Sequence, residues 1–187
     1  MNDKQAIANL KQGSLIGLEV LVRRYQQKAL QAALMIVHDK AMAEDVVQQS
    51  FIKVYENIRN FQDGQLFPPW FFKIVINQAI NMVKREAKLV SLDEEHENDY
   101  TYGNHPVYDS QIIDPQPSPE EILEQAQSIH EFRAALFKLK PEHRAVLVMR
   151  YYLGYDDETS AAKTQLPLST IKWRLRAARK SLKELLQ

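Results

Sequence analysis

Apolar side chains recur at steps of three and four along both ends of this chain, a spacing that indicates α-helices and not β-strands. Val47, Phe51, Val54 and Ile58, for example, follow one another at steps of four, three and four. The sequence has only five glycines in 187 residues, and little of it alternates at period two. It therefore predicts an all-α protein.

The charges divide the chain into three segments. Residues 1–90 carry 12 basic and 8 acidic side chains, and residues 125–187 carry 12 basic and 6 acidic ones. Residues 91–124 carry 10 acids, four prolines and no Lys or Arg, a composition that predicts an extended acidic linker. We therefore expect two small helical domains, residues 1–90 and 119–187, joined by a Pro-rich linker over residues 91–118.

Two absences narrow the class of protein. The chain has no cysteine, which excludes a disulfide framework, a thiolate zinc site and a catalytic thiol and is typical of a reducing compartment. It has no apolar run of about 18 residues, and its N-terminus lacks the basic-then-apolar layout of a signal peptide. We expect a cytoplasmic protein that is not inserted in a membrane, with no metal and no cofactor.

Turn and cap signals place the helix boundaries. Asp63-Gly64 and Pro68-Pro69 separate two helices of the first domain, and Ser118 is a candidate cap for the second domain. The predicted helices cover residues 15–39, 41–58, 70–88, 119–139, 142–153, 156–165 and 169–187.

The closing helix carries six Lys or Arg and a single acid, Glu184. On a helical wheel its apolar residues form one stripe that predicts packing on the preceding helices; they are Ile171, Leu175, Ala178, Leu182, Leu185 and Leu186. Ser169 is the predicted N-cap. Preceded by a short helix and a tight turn, this helix resembles the second helix of a helix-turn-helix, which enters the major groove of DNA.

A basic helix face is often only solvated, and the helix dipole favours cations near a C-terminus. That explanation covers Lys180 and Lys183. It leaves Lys172, Arg174 and Arg176 in the first turns, where cations oppose the dipole. Nucleic-acid binding is therefore the favoured interpretation.

Four motifs in order carry a resemblance to a known family. They are AEDVVQQSFIKVYENI, WFFKIVINQAINMVKRE, ALFKLKPEHRAVLVMRYYLGY and LPLSTIKWRLRAARKSLKELL. With them the chain resembles the bacterial RNA polymerase sigma factors of the sigma-70 family, specifically the extracytoplasmic-function (ECF) subfamily that has only the second and fourth sigma regions. The resemblance implies an alternative sigma factor that binds core RNA polymerase and directs promoter-specific transcription initiation, with no chemistry of its own.

The resemblance also implies partners. The second sigma region, residues 1–90, would dock on the beta-prime clamp helices of the polymerase, and the beta flap is a further expected contact. The expected docking residues are Asp45, Gln48, Gln49 and Lys53. An anti-sigma factor is an expected partner, and the linker would thread through the polymerase with its carboxylates in place of nucleic-acid phosphates.

Melted promoter DNA needs a surface that holds an unstacked base through aromatic stacking, polar edge contacts and positive charge. We expect Phe61 and Phe67 to line a base pocket, whereas Trp70 and Ile74 are interpreted as core. The remaining candidates for the minus-ten element are Lys73, Asn77, Asn81, Lys84 and Arg85. Ile76 stands where the family often has Arg, and Asn81 where it usually has Asp.

In the fourth sigma region, residues 119–187, the resemblance assigns the minus-thirty-five element to the closing helix. The candidate residues are Thr170, Lys172, Trp173, Arg176 and Arg179. Arg is the commonest specific reader of guanine, whereas Lys more often contacts phosphate. The chain departs from the family at Trp173, Ser160, Thr164 and Gln165, so we expect a loosely packed first helix in the helix-turn-helix.

Two other classes of protein are alternatives to a sigma factor. A helix-turn-helix regulator that binds duplex DNA without polymerase predicts a sensor or dimerisation domain in the first half. A metal-dependent nuclease using acids near His96 and His105 would need a scaffold that a Pro-rich segment does not provide.

Overall fold

The computed structural model describes residues 1–90, 129 and 131–187. The described residues form helices and turns with no β-strand, which confirms the all-α prediction. The predicted linker, residues 91–118, and the predicted cap Ser118 lie outside the described residues. No helix in the described part of the chain is long and apolar enough to span a bilayer.

The first half contains four α-helices. They are α1 (Asp3–Lys11), α2 (Leu15–Val37), α3 (Lys40–Asn57), which runs on into a short 3-10 helix (Ile58–Asn60), and α4 (Phe67–Val90). The second half shows helical residues 131–137 (α5), then α6 (Pro141–Leu147), a π-helical turn (Val148–Tyr152), α7 (Asp157–Thr164) and α8 (Leu168–Leu185). Each periodic segment of the sequence thus lies in a helix wherever the structure describes it.

Helix α1 was not among the predicted helices. It begins with a capping box in which Asn2 and Gln5 bond each other's backbone N–H groups. Its backbone crosses α2 at Gly17, where a Cβ atom would collide with the carbonyl oxygen of Ala6. Because only hydrogen fits there, α1 can lie directly against α2.

Helix α2 ends where expected, and α3 follows almost at once. His38 closes α2 in the left-handed conformation at φ 69°, and Asp39 accepts a 2.7 Å hydrogen bond from the backbone N–H of Met42. The Asp39 carboxylate caps α3 directly after α2 ends, so the connection between the two helices is only two residues long. The two helices therefore form a tight antiparallel hairpin.

Helix α4 begins three residues earlier than the predicted Trp70 because Pro68 and Pro69 fit its first turn. It stands on an aromatic core: Phe67, Phe71 and Phe72 are at most 2 % exposed. The rings of Phe67 and Phe71 stack at 5.6 Å between centroids. This core fixes α4 along its N-terminal half.

Helix α8 differs from its prediction at both ends. It begins at Leu168 with Pro167 in the N-cap position and no side-chain cap, so the expected cap at Ser169 is wrong. The fixed φ of Pro167, −55°, already suits a helix start. At the other end Leu185 and Leu186 are 40 % and 47 % exposed, so the packing stripe stops at Leu182.

The second half packs against the first. Helix α6 contacts both α2 and α4, the π-helical turn contacts α2, and α7 contacts α4. Lys84 on α4 forms an ion pair with Glu142 on α6 at 2.6 Å. The two halves therefore share one interface in this structure.

Candidate nucleic-acid and polymerase interfaces

Helix α8 divides into a buried stripe and a basic face, as the wheel predicted. Ile171, Leu175 and Ala178 are at most 5 % exposed and pack on the preceding helices. The opposite side, called the α8 basic face below, consists of Thr170, Lys172, Trp173, Arg176 and Arg179. All of these are exposed except Thr170, which is half-buried.

Trp173 is 63 % exposed. Its ring meets the edge of the His143 ring at 5.9 Å between centroids. Partial burial lowers the pKa of His143, and the positive charges of Lys140 and Arg174 lower it further. His143 is therefore mostly neutral at physiological pH. It contacts the Trp173 indole without adding a positive charge to the α8 basic face.

Arg179 has a partner that sequence reasoning missed. Its Nε donates a 2.8 Å hydrogen bond to the Tyr151 hydroxyl, and its guanidinium lies 5.6 Å from the centre of the Tyr151 ring. Tyr151 reaches α8 because it lies in the π-helical turn, which is closed by a bond from Leu153 N–H to Val148 O. No sequence period signals such a turn.

Arg144 links two helices within the second half of the chain. It is 5 % exposed, donates to Phe137 O at 3.2 Å and lies 4.9 Å from the centre of the Phe137 ring. Burial lowers its pKa to about 10, so the group is still charged at neutral pH. Its charge and ring contact tie α5 to the start of α6.

The candidate residues on α4 form a second basic face. Lys73, Asn77, Asn81 and Lys84 follow at helical spacing, and Arg85 lies beside them. Lys73 is half-buried and the other four are exposed. This set is called the α4 basic face below.

The expected base pocket at Phe61 and Phe67 is not open in the structure. The two side chains are 4 % and 2 % exposed, and their rings contact each other and Trp70. A 2.8 Å ion pair between Lys11 and Asp63 fixes the loop above them. We correct the prediction: these rings belong to the core, because the Phe67 end of α4 packs inward. Trp70 and Ile74, interpreted as core, are only half-buried.

The four expected docking residues on α3 are all exposed, namely Asp45, Gln48, Gln49 and Lys53. Lys53 also donates a 2.9 Å hydrogen bond to Gln78 on α4. The inward side of α3 is core, since Val46 and Val54 are fully buried and Phe51 is 7 % exposed. Helix α3 thus presents one polar edge to a partner.

Beside that edge runs an apolar groove between α2 and α3 with a volume of about 910 Å³. Its exposed apolar residues include Leu15, Ile52 and Tyr55, which are 61 %, 42 % and 49 % exposed. Gln48 and Glu44 belong to its rim. Exposed apolar side chains gathered in one groove are typical of a protein-binding surface. This set is called the docking groove below.

A smaller cleft of about 190 Å³ lies between the two halves. Ile76, Asn77, Ile80 and Lys84 line it from α4, and residues of α6, the π-helical turn, α7 and α8 line the other wall. Ile76 is 1 % exposed. Two residues of the α4 basic face, Asn77 and Lys84, therefore border the second half of the chain.

No group of three or more His, Asp or Glu in the described residues could hold a metal ion. The acids near His96 and His105 lie outside those residues.

Comparisons with known proteins agree with this arrangement. The family model for sigma-70 region 2 matches residues 21–89. The RNA polymerase sigma-H factor of Pseudomonas aeruginosa is 29 % identical over 187 residues, covering 99 % of this chain and 94 % of that protein. The ECF RNA polymerase sigma factor EcfG of Rhodopseudomonas palustris is 31 % identical over 144 residues, covering 77 % of this chain and 71 % of that protein.

A solved structure shares the fold. The sigma factor RpoE of Bartonella quintana, crystallised with the anti-sigma factor NepR, superposes with a TM-score of 0.67 at 23 % identity. The match covers 90 % of this chain and 95 % of that one. It includes both halves of the chain.

Proposed function

The chain belongs to the extracytoplasmic-function RNA polymerase sigma factors, and from that premise we propose how its surfaces divide the work. As a sigma factor it binds core RNA polymerase and directs promoter-specific transcription initiation. Residues 1–90 act as sigma region 2 and residues 119–187 as sigma region 4, with residues 91–118 connecting them. The protein works in the cytoplasm and catalyses no reaction itself.

The polymerase docks on α3 and the docking groove. Asp45, Gln48 and Gln49 offer hydrogen-bonding groups on an exposed edge, and the adjoining groove offers apolar surface. A polar rim beside an apolar centre is the usual composition of a protein interface. The beta-prime clamp helices are the proposed occupant of this surface, and region 4 contacts the beta flap.

The α4 basic face holds the melted minus-ten strand. Asn77 and Asn81 present amides that can bond the edge of an unstacked base, and Lys73, Lys84 and Arg85 contact phosphates. The support for this assignment is the helical spacing of these residues along one side of α4. Phe61 and Phe67 are left out because they are buried.

The α8 basic face reads the duplex minus-thirty-five element. Arg176 is the proposed reader of a guanine, and Lys172 and Arg179 contact the backbone. Trp173 packs on sugar or on a thymine methyl group. The observation that carries the proposal is the separation on α8 of a stripe buried against α6 and α7 from exposed cations in its first turns.

Run-off transcription with purified core polymerase tests the function directly, using templates from upstream of the chain's own gene. We expect transcripts that depend on this protein. The double variant Asp45→Ala, Gln48→Ala should weaken core binding while leaving helicity unchanged. The matched control, Lys4→Ala with Gln12→Ala, removes two exposed side chains away from α3 and should bind as the wild type does.

Two observations bear on partners. The Bartonella quintana sigma factor was solved with an anti-sigma factor, and we propose that a protein of that class also binds this chain. A helix-turn-helix regulator that acts without polymerase is not favoured, because the sigma-H relative aligns over 99 % of the chain, including the first half.

A further inference from the structure

Lys84 of the α4 basic face is already occupied by a negative charge from the other half of the chain. Its Nζ lies 2.6 Å from Oε1 of Glu142, which is at the start of α6. The Glu142 side chain is 23 % exposed and that of Lys84 57 %. The ammonium thus keeps solvent access but donates to a carboxylate.

The ion pair is one part of a wider contact between the halves. The Lys28 ammonium on α2 lies 5.9 Å from the ring centres of both Phe72 on α4 and Tyr152 in the π-helical turn. One cation therefore holds an aromatic ring from each half. The cleft beside Lys84 closes with the apolar side chains of Ile76 and Met149, which are 1 % and 4 % exposed.

We propose that Glu142 is an internal competitor of promoter DNA: its carboxylate takes the place of a DNA phosphate at Lys84 and lowers the affinity of the α4 basic face for a DNA strand in the free protein. The proposal rests on the assignment of that face to the melted strand. A carboxylate and a phosphate both accept charge-assisted hydrogen bonds from an ammonium, and two anions at one ammonium repel each other, so Glu142 and a phosphate compete for the charge of Lys84.

The position of Glu142 also affects a strand that runs along α4. A strand running along α4 past Asn77 toward Lys84 meets α6, which carries Glu142, at the far wall of the cleft. A phosphate arriving there would lie beside a carboxylate of the same sign. Binding of a phosphate at Lys84 is therefore favoured when the Glu142 carboxylate turns away from the ammonium.

The test measures single-stranded DNA binding by the free full-length protein. The probe is a fluorescein-labelled oligothymidylate, followed by fluorescence anisotropy at low salt, because a phosphate contact needs no particular base. Glu142→Gln keeps the shape of the side chain and removes its charge. We expect its affinity for the probe to rise about two- to fivefold, the range of a partly exposed ion pair.

The control variant is Glu158→Gln, which removes the same charge from an exposed position on α7. It should bind the probe as the wild type does or gain much less. A second control adds Lys84→Ala to Glu142→Gln, and there the gain should disappear. Equal gains for Glu142→Gln and Glu158→Gln would overturn the proposal, as would a gain that persists without Lys84.

Run-off transcription by the assembled holoenzyme separates this inference from the proposed function. Absence of transcripts with the wild-type protein would count against the function itself. Normal transcripts together with a flat result in the oligothymidylate series would leave the function intact and remove Glu142 as a competitor.

Discussion

The two basic faces of this protein differ in how ready they are to bind. The α8 basic face is open, with Trp173 63 % exposed and Arg176 unobstructed. The α4 basic face borders the second half of the chain and has Lys84 paired with Glu142. Under our proposal, duplex DNA meets a surface that is already free, whereas a melted strand competes with Glu142 for Lys84. The α8 basic face would be needed first, because a promoter is duplex before it melts.

The supports beneath the two faces differ as well. Helix α4 is held by the buried rings of Phe67, Phe71 and Phe72, of which the first two are stacked, while α8 is held by one narrow stripe that includes Leu175. A large aromatic core tolerates little rearrangement. We therefore expect α4 itself to be rigid. Access to the α4 basic face should depend on the residues of the second half that lie against it, including Glu142.

The largest expected effect is on stability. Phe71→Ala should destabilise the first half by about 3–5 kcal/mol, and Leu175→Ala should destabilise the second half by about 2–5 kcal/mol. Urea unfolding followed by Trp fluorescence can report each half separately in Trp70→Phe and Trp173→Phe backgrounds, because one of the two Trp residues lies in each half. A loss of less than about 1 kcal/mol for Phe71→Ala would contradict the claim that the aromatic core holds α4 firmly.

A smaller effect should separate the two faces by the DNA each needs. Arg176→Ala should weaken closed-promoter binding by the holoenzyme by about 1–3 kcal/mol, because a base contact in the major groove is lost. The loss should be concentrated on templates with an intact upstream element. Lys183→Ala, an exposed cation in the last turn of α8, is the matched control and should have little effect.

The companion variant Asn77→Ala should leave duplex binding intact and lower open-complex formation, since its contact forms only after melting. A pre-melted bubble template should not rescue it if the lost contact is to the base. Permanganate footprinting and filter binding on both templates give the answer. Equal weakening of duplex binding by Arg176→Ala and Asn77→Ala would contradict the division between the faces.

The smallest expected effect is the pH dependence of the contact that closes α4. Partial burial alone would raise the pKa of Glu142, but hydrogen bonds from Lys84 and the backbone, with the charges of Lys84 and Arg174, lower it below its ordinary 4.5. A depressed acid contributes stability above 4.5 and loses it as the pH falls through the folded pKa. Because the Lys84 side of the pair is open to solvent, which screens the interaction, the contribution should be under about 1 kcal/mol.

Urea midpoints of wild type and Glu142→Gln measure it. The wild type should be slightly more stable at neutral pH, and the two proteins should converge below pH 4.5. A difference that stays constant with pH would show that the Glu142 charge does not contribute to closure.

Much of this architecture could be predicted from local spacing. The period of three and four placed the described helices, and the wheel placed Ile171 and Leu175 in the core. Helix α1 was within reach too, since Asn2 and Gln5 are spaced for a capping box and Ala6, Ile7 and Leu10 follow at helical steps.

Other features depend on contacts that no local pattern contains. Phe61 and Phe67 lie in a loop and a helix start that could face outward, and only the packing of Trp70 and Phe71 turns them inward. The docking groove forms where the side chains of α2 and α3 meet, and the periodicity of each helix alone does not show that its exposed apolar residues share one groove. The pairing of Lys84 with Glu142 spans the interface of the halves.

The π-helical turn at Val148–Tyr152 also governs how this chain can be recombined with its relatives. The wide turn holds an extra residue, so that Tyr151 reaches Arg179 on α8 while its neighbour Tyr152 faces Lys28 on α2. Deleting one residue there would rotate whatever follows by roughly 100° about the helix axis. A chimera that exchanges promoter-reading halves should therefore keep this turn whole, with its junction outside it, so that the extra residue stays with the helix it orients.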